Sequence, residues 1–118
     1  MTMANSVHAI TRFVPMTPRK VRLVVDTVRG LGANEALNLL KFMPKAAAVP
    51  VSKAIRSAIA NAEENQGWSR DDLYVSEIRA DEGPRRQWRR FGARGRFKPI
   101  FKRTSHITVV LTEREQVA

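Results

Sequence analysis

The sequence contains no cysteine, which removes disulfides, thiolate metal sites and thiol nucleophiles together and fits a reducing compartment. Histidine is nearly as scarce. His8 and His106 are the only 2, each in a segment that reads as a strand, and a metal site needs three or four convergent ligands. Neither is expected to hold a metal, and no cofactor is expected. Long apolar runs are missing as well: nothing approaches the roughly 18 residues of a transmembrane helix. Met1 to Ser6 lacks the charged and apolar regions of a signal peptide, so a cytoplasmic protein is expected. Acidic residues are in deficit, 11 against 21 basic ones, giving a net charge of +10. That balance favours a polyanionic partner, nucleic acid ahead of anionic membrane, because a membrane-surface protein needs a basic amphipathic helix and here the basic residues gather in a loop.

What is present suffices for one small domain. With 118 residues and 43% hydrophobic residues, the chain can build a modest core, and a single domain over 1–118 is expected, without repeat or linker. Val7 to Val14 mixes β-branched and polar residues and is closed by Pro15, which predicts a strand and a turn. Thr17-Pro18 has the form of a helix start, with Thr17 as N-cap and Pro18 where its missing N–H costs nothing. Val21, Val24, Val25 and Val28 then recur at helical spacing, Arg19, Arg22, Asp26 and Arg29 line another face, and Gly30 and Gly32 stop the helix after Arg29. A second helix is predicted from Asn34 to Phe42, with Leu37 and Leu40 inward. A third carries Val51, Ala54, Ile55, Ala58, Ile59 and Ala62 on one face and ends at Gly67. Pro50 leaves two readings of its start: the helix begins near Pro50, or an earlier turn from Lys45 is kinked by it. Leu73 to Ala80 is rich in strand formers but alternates poorly, whereas Ile107, Val109 and Leu111 alternate cleanly with His106, Thr108, Val110 and Thr112. The two runs are expected to pair antiparallel.

Between those strands lies the segment that decides the function. From Pro84 to His106 it carries Arg85, Arg86, Arg89, Arg90, Arg94, Arg96, Lys98, Lys102 and Arg103 without one acidic residue. So long a connection, so poor in apolar residues, is functional or disordered rather than packed. Aromatic residues threaded through the charges argue against plain disorder. Trp88, Phe91, Phe97 and Phe101 suit stacking on unpaired bases, with Phe101 expected to pack back onto the domain, while guanidinium groups bind phosphates in pairs. Gly83, Gly92 and Gly95 allow tight turns or close approach to another surface. If the loop continues the hairpin, each arm adds about 10 residues at about 3.3 Å apiece, a projection of about 30 Å. Nothing so thin is stable alone in water, so the arm is expected to be embedded in its partner. Arg19 and Lys20 give a second hint, since they occupy a helix opening turn where the dipole favours negative charge; a bound phosphate reverses that penalty, and ordinary surface exposure is the equal alternative.

Catalysis is not expected. The acidic pairs Glu63-Glu64, Asp71-Asp72 and Asp81-Glu82 fall at helix ends and turns, where such pairs face solvent, and no Ser, His and Asp set suggests a positioned nucleophile and base. Charge alone fits a free-standing RNA chaperone or a DNA-compacting protein equally well, although no recognition helix is evident for duplex DNA.

Four strings narrow the choice. Thr17-Pro18-Arg19-Lys20-Val21-Arg22-Leu23-Val24-Val25-Asp26 with Arg29-Gly30, then Ala80-Asp81-Glu82-Gly83-Pro84, then Arg94-Gly95-Arg96, then Lys102-Arg103-Thr104-Ser105-His106-Ile107-Thr108-Val109-Val110 occur in order. Together they resemble the family of ribosomal protein twenty-two of the large subunit along nearly the whole chain. The resemblance implies an α+β fold, three helices packed on a small three-stranded antiparallel sheet, with a long protruding basic β-hairpin at about 80–106. It implies a structural protein, with no homo-oligomer, that binds large-subunit ribosomal RNA, aids subunit assembly and lines the nascent-polypeptide exit tunnel. Its expected partners are that RNA, other large-subunit ribosomal proteins, including ribosomal protein four at the tunnel constriction, and transient nascent chains. The residues expected to contact RNA are Arg12, Arg19, Lys20, Arg22, Arg85, Arg86, Arg89, Arg90, Arg94, Arg96, Lys98, Lys102, Arg103, Thr104, Ser105 and His106. The tunnel-lining tip is expected at Arg86, Gln87, Trp88, Arg89, Arg90, Arg94, Gly95 and Arg96. The chain departs from the family at that tip, where Arg86-Gln87-Trp88 replaces an apolar residue followed by Lys-Arg, and Phe91-Gly92 replaces a frequent Pro-Arg.

Overall fold

The computed structural model describes the backbone of residues 6–91, 95 and 97–113, with side chains over 6–85 and 102–113. Strand β1 (Ser6–Val14) leads into helix α1 (Pro18–Val28), α2 (Ala33–Lys41) and α3 (Ala48–Gln66), followed by a single turn of tighter helix at Arg70–Asp72. Strands β2 (Leu73–Glu82), β3 (Arg86–Phe91), β4 (Phe97–Lys102) and β5 (Ser105–Glu113) complete the chain. Strands β1, β5 and β2 form an antiparallel sheet in that order, and β3 and β4 form a separate two-stranded ribbon. The expected α+β class, three helices on a three-stranded sheet, is the one observed.

Helix burial follows the spacing. Val21, Val24, Val25 and Val28 are fully buried, each worth about 1.5–3 kcal/mol against exposure. On α3, Val51, Ala54, Ile55, Ala58, Ile59 and Ala62 are all buried, and the alanines let the helix lie close over β1 and β5. Pro50 turns out to sit in the first turn of α3, because the helix begins at Ala48. There its missing N–H has no intrahelical acceptor, so the helix needs no kink. The C-terminus of α3 closes on Gly67, whose left-handed φ of 70° turns the following Trp68 N–H onto the Ala62 carbonyl at 3.2 Å.

The poor alternation of β2 has a physical cause. Leu73 pairs with Glu113 and Val75 with Leu111, but Glu77 pairs with Val110, so Ser76 is an extra residue in the ladder. The buried positions therefore jump from Leu73 and Val75 to Ile78 and Ala80. The bulge is stitched by its own side chain: the Ser76 hydroxyl donates to the Val110 carbonyl at 3.1 Å and accepts from the Thr112 hydroxyl at 2.7 Å. Strand β5 departs from its clean pattern for another reason. It is the central strand, and Thr108 and Val110 on its outer face are also buried between β1 and β2.

Helix side chains and the α1–α2 loop cover much of the β2 edge, which shortens the exposed ladder on which another chain could add. On β2, Val75 donates to the Leu31 carbonyl and accepts from Gly30 N–H at 2.8 and 2.9 Å, while Arg29 Nη2 donates to the Ile78 carbonyl and Arg22 Nε to that of Ala80. On β1, Asn61 Nδ2 donates to the His8 carbonyl.

The ribbon continues the β2–β5 pair with one more change of register. Glu82 opposes Ser105 and Arg86 opposes Lys102, leaving three residues on one side against two on the other. The molecule measures 72 × 30 × 23 Å.

Candidate nucleic-acid interface

The joint between sheet and ribbon is where the described basic residues and the first helix meet. Gly83 N–H donates to the Thr104 carbonyl at 2.8 Å, and the Thr104 hydroxyl donates to the Pro84 carbonyl at 2.9 Å. A Cβ on residue 83 would meet Thr104 Oγ1 within a clashing distance and His106 Nε2 at 3.2 Å, so any side chain at 83 forces those two to shift. Beside it, Glu82 accepts from Arg85 Nε at 2.8 Å and Nη2 at 2.7 Å. The hydrogen bond from Arg85, then its charge, with smaller effects from Arg103 and Arg22, holds the Glu82 carboxyl below the usual carboxylate range.

The neighbouring end of β1 is also irregular. Thr11 pairs with Ile107 and Val14 with Ser105, so Arg12 and Phe13 together oppose the single His106. Phe13 takes a left-handed φ of 58°, which costs a side-chain-bearing residue about 1–2 kcal/mol. Its N–H donates to His106 Nδ1 at 3.1 Å, and the two rings meet edge to face at 5.1 Å. These contacts offset the strain. The result is a phenylalanine turned outward and 62% exposed.

Helix α1 starts against this bulge. Its N-cap, Thr17, makes no side-chain capping bond, and its first turn holds no acidic residue. Arg19 and Lys20 stand there instead, both exposed. These three parts, with Lys45, Ala46 and Ala47 of the α2–α3 connection, line an open groove of about 990 Å³. Its floor is apolar, with Phe13, Pro15, Met16, Leu23 and Pro84, and Lys20, Lys45, Lys102 and Arg103 line it without a carboxylate. The ion pairs of the described residues involve none of Lys20, Lys45 and Arg103: they join Arg29 to Asp26, Arg70 to Glu63, Arg79 to Glu77 and Asp81, and Arg85 to Glu82. Glu77 and Asp81 in turn raise the pKa of Arg79, the hydrogen bond to Glu77 most.

Of the residues expected to contact RNA, Arg12, Arg19, Lys20, Arg85, Lys102 and Arg103 are exposed around this joint. Arg22 is exposed but spends its Nε on the Ala80 carbonyl. Thr104, Ser105 and His106 hold the joint together: Ser105 is fully buried, with its hydroxyl donating to the Met16 carbonyl at 2.7 Å. For Arg86, Gln87, Trp88, Arg89, Arg90 and Lys98 the ladder gives register alone, Trp88 opposite Ile100 and Arg90 opposite Lys98. Their side chains lie outside the described residues, as do those of Phe91, Phe97 and Phe101, and Gly92, Arg94 and Arg96 lie outside them altogether. Gly95 is described, exposed and at a φ of 71°.

Sequence reasoning missed Phe13 and Lys45. Lys45 sits among apolar residues after Pro44, and Phe13 fits a strand equally well facing inward; its outward turn follows from the bulge, which the hydropathy pattern does not mark.

The acidic pairs hold no catalytic constellation. Glu63 and Glu82 are spent on Arg70 and Arg85, and Asp71 accepts from Asn34 Nδ2 at 2.8 Å. Among the described residues no group of three or more His, Cys, Asp or Glu side chains is placed to hold a metal ion. Among them, too, no helix is long and apolar enough to cross a membrane.

The family described as "Ribosomal protein L22p/L17e" matches residues 9–112. The chain is 51% identical over 108 residues, 92% of its length and 97% of the relative's, to "Large ribosomal subunit protein uL22" of Thermoanaerobacter sp. (strain X514). It is 50% identical over 108 residues, 92% of this chain and 95% of the relative, to the protein of the same description from Desulfitobacterium hafniense (strain DSM 10664 / DCB-2). A third relative of that description, from Caldicellulosiruptor saccharolyticus, is 50% identical over 114 residues, 97% of this chain and 93% of the relative.

Proposed function

The chain belongs to the ribosomal protein L22p/L17e family, and on that premise we propose that it binds large-subunit ribosomal RNA with its β3–β4 arm embedded in that RNA. As a family member it is a structural, non-enzymatic constituent of the large ribosomal subunit in the cytoplasm. Within the subunit the arm bridges RNA segments, which aids assembly, and its far end lines the nascent-polypeptide tunnel beside ribosomal protein four, in passing contact with nascent chains. These finer roles rest on the family resemblance of the arm's flanking strings.

The observation that carries the RNA reading is the ribbon itself. Residues 86–102 leave the sheet as a two-stranded ladder, Arg86 opposite Lys102 to Phe91 opposite Phe97, in a stretch whose charges are all positive. A single pair of strands is marginal in water, and self-repulsion among its cations makes it more so. Phosphates remove the repulsion and release counterions as they bind. Arginine planes and aromatic rings can meanwhile stack on unpaired bases, the chief route to sequence-specific RNA contact.

The test replaces Arg86 to Phe101 with a short turn joining Arg85 to Lys102. Arg86, Arg89, Arg90, Arg94, Arg96 and Lys98 are lost, and the described core residues all lie outside the deletion. Binding to large-subunit RNA is measured over a salt series. At about 0.7 counterions per phosphate contact, the full chain's slope should exceed the shortened chain's by up to about 4. Equal slopes and affinities for the two chains would remove the embedded arm.

A further inference from the structure

We propose that the groove at the root of the arm seats one unpaired nucleotide of the RNA, its base on the exposed ring of Phe13 and its phosphate among Lys20, Lys45 and Arg103. This rests on the reading that the protein binds RNA, and it adds a recognition site where the body itself grips a base. The groove volume of about 990 Å³ falls within the range of small-ligand sites. Its composition is that of a nucleotide rather than of a purely apolar or purely ionic ligand: an apolar floor with one outward aromatic ring, and a rim of cations without a carboxylate.

Three features make the site more than a basic surface. Phe13 is held outward by a strained backbone and by two contacts to His106, so the ring is presented before a ligand arrives. The opening turn of α1 borders the groove with no acidic residue and no side-chain cap, which leaves the favourable end of the helix dipole to an anion. Finally, the groove wall includes Pro84, Lys102, Arg103 and Thr104 at the joint, so a strand of RNA following the arm reaches it without leaving the protein. An A-form duplex does not expose a base face for such a ring, whereas a splayed-out base does.

The experiment uses the full chain with large-subunit ribosomal RNA. Phe13→Leu keeps bulk and the same backbone demand but loses the π face, and Phe13→Tyr keeps it. Loss of one base–aromatic stack weakens binding by about 5- to 150-fold, with the salt slope unchanged because no charge is lost. Lys45→Gln should instead reduce the slope by about 0.7. Base-specific chemical probing should show one or two unpaired nucleotides protected by the wild-type chain and by Phe13→Tyr, and exposed again with Phe13→Leu, while other footprints persist. Thermal melting of each variant separates a binding loss from a folding loss. Wild-type affinity and protection with Phe13→Leu overturn the groove as a base site, whether its occupant is then an acidic peptide or nothing. The armless chain distinguishes the two readings, since it retains Phe13, Lys20, Lys45 and Arg103. If it loses its salt slope while Phe13→Leu behaves as wild type, the arm stands and the groove falls. If it binds as the full chain does and Phe13→Leu still re-exposes the base, the arm falls and the groove stands.

Discussion

In the body, Val21, Val25, Ile55 and Ile59 are buried between helices and sheet, the β2 edge is capped by arginines of α1 and its C-terminus, and no described side-chain polar atom is buried without a partner. In the arm, two strands of 6 residues each face no third strand, and the sequence places Arg86, Arg89, Arg90 and Lys98 along them. The body gains its order from apolar area removed from water. The arm has no third strand to pack against, and under the proposed function its order comes from phosphates and bases. One chain thus holds two segments whose stabilities answer to different variables, temperature and core volume for one, salt and RNA for the other.

The comparison is put under most strain by Ile55→Ala. Removing most of a fully buried side chain should cost about 2–5 kcal/mol and lower the melting temperature by more than about 10 °C. At a temperature where the variant remains folded, its salt slope for RNA binding should match wild type. A changed slope would show that body packing and arm order are not separable.

The joint supplies a smaller, more local test. Gly83→Ala pushes a Cβ into the Thr104 hydroxyl, which must surrender its hydrogen bond to the Pro84 carbonyl. The expected cost is about 1–3 kcal/mol, read as lost amide protection near Glu82 and Ser105 and weaker RNA binding. Thr104→Ala in the same chain removes the clash. The pair should therefore cost less than the sum of its single changes in a double-mutant cycle. Additive costs would mean that the tight approach at Gly83 is not what shapes the joint.

Legibility in the sequence divides along the same line. The α1 and α3 stripes were readable because a helix period records which residues are buried, and the core of the body is where burial decides residue type. Bulges leave no such record. Ser76 was visible as poor alternation in β2, but Phe13 was not, since its outward turn is set by His106 across the sheet. Charge marked the arm at once, because a run of cations is a property of composition. Yet charge did not separate Lys20, which lines the groove, and Arg19, which is exposed beside it in sequence, from Arg22 and Arg29, which cap carbonyls of the edge strand. Cations of one helix are divided between those roles by where β2 passes, a fact of tertiary structure.

The smallest effect locates the boundary between the two regions in the free protein. Glu82 and Arg85 lie at the last point before the ribbon, and the Glu82 carboxyl is held low by the hydrogen bond from Arg85. A depressed folded-state pKa means that the pair's stabilisation is present above the unfolded carboxylate value and is lost as pH falls through the lower, folded one. Because the pair is exposed and screened by salt, melting should barely register it. Carboxyl chemical shifts should. In the free protein Glu82 should titrate below an ordinary glutamate, and Arg85→Gln should return it towards the usual range. An ordinary midpoint without RNA that becomes depressed when RNA binds would place Glu82 with the partner-ordered arm. The boundary would then move into the end of β2, with Ala80 and its bond from Arg22 the last fixed point of the body.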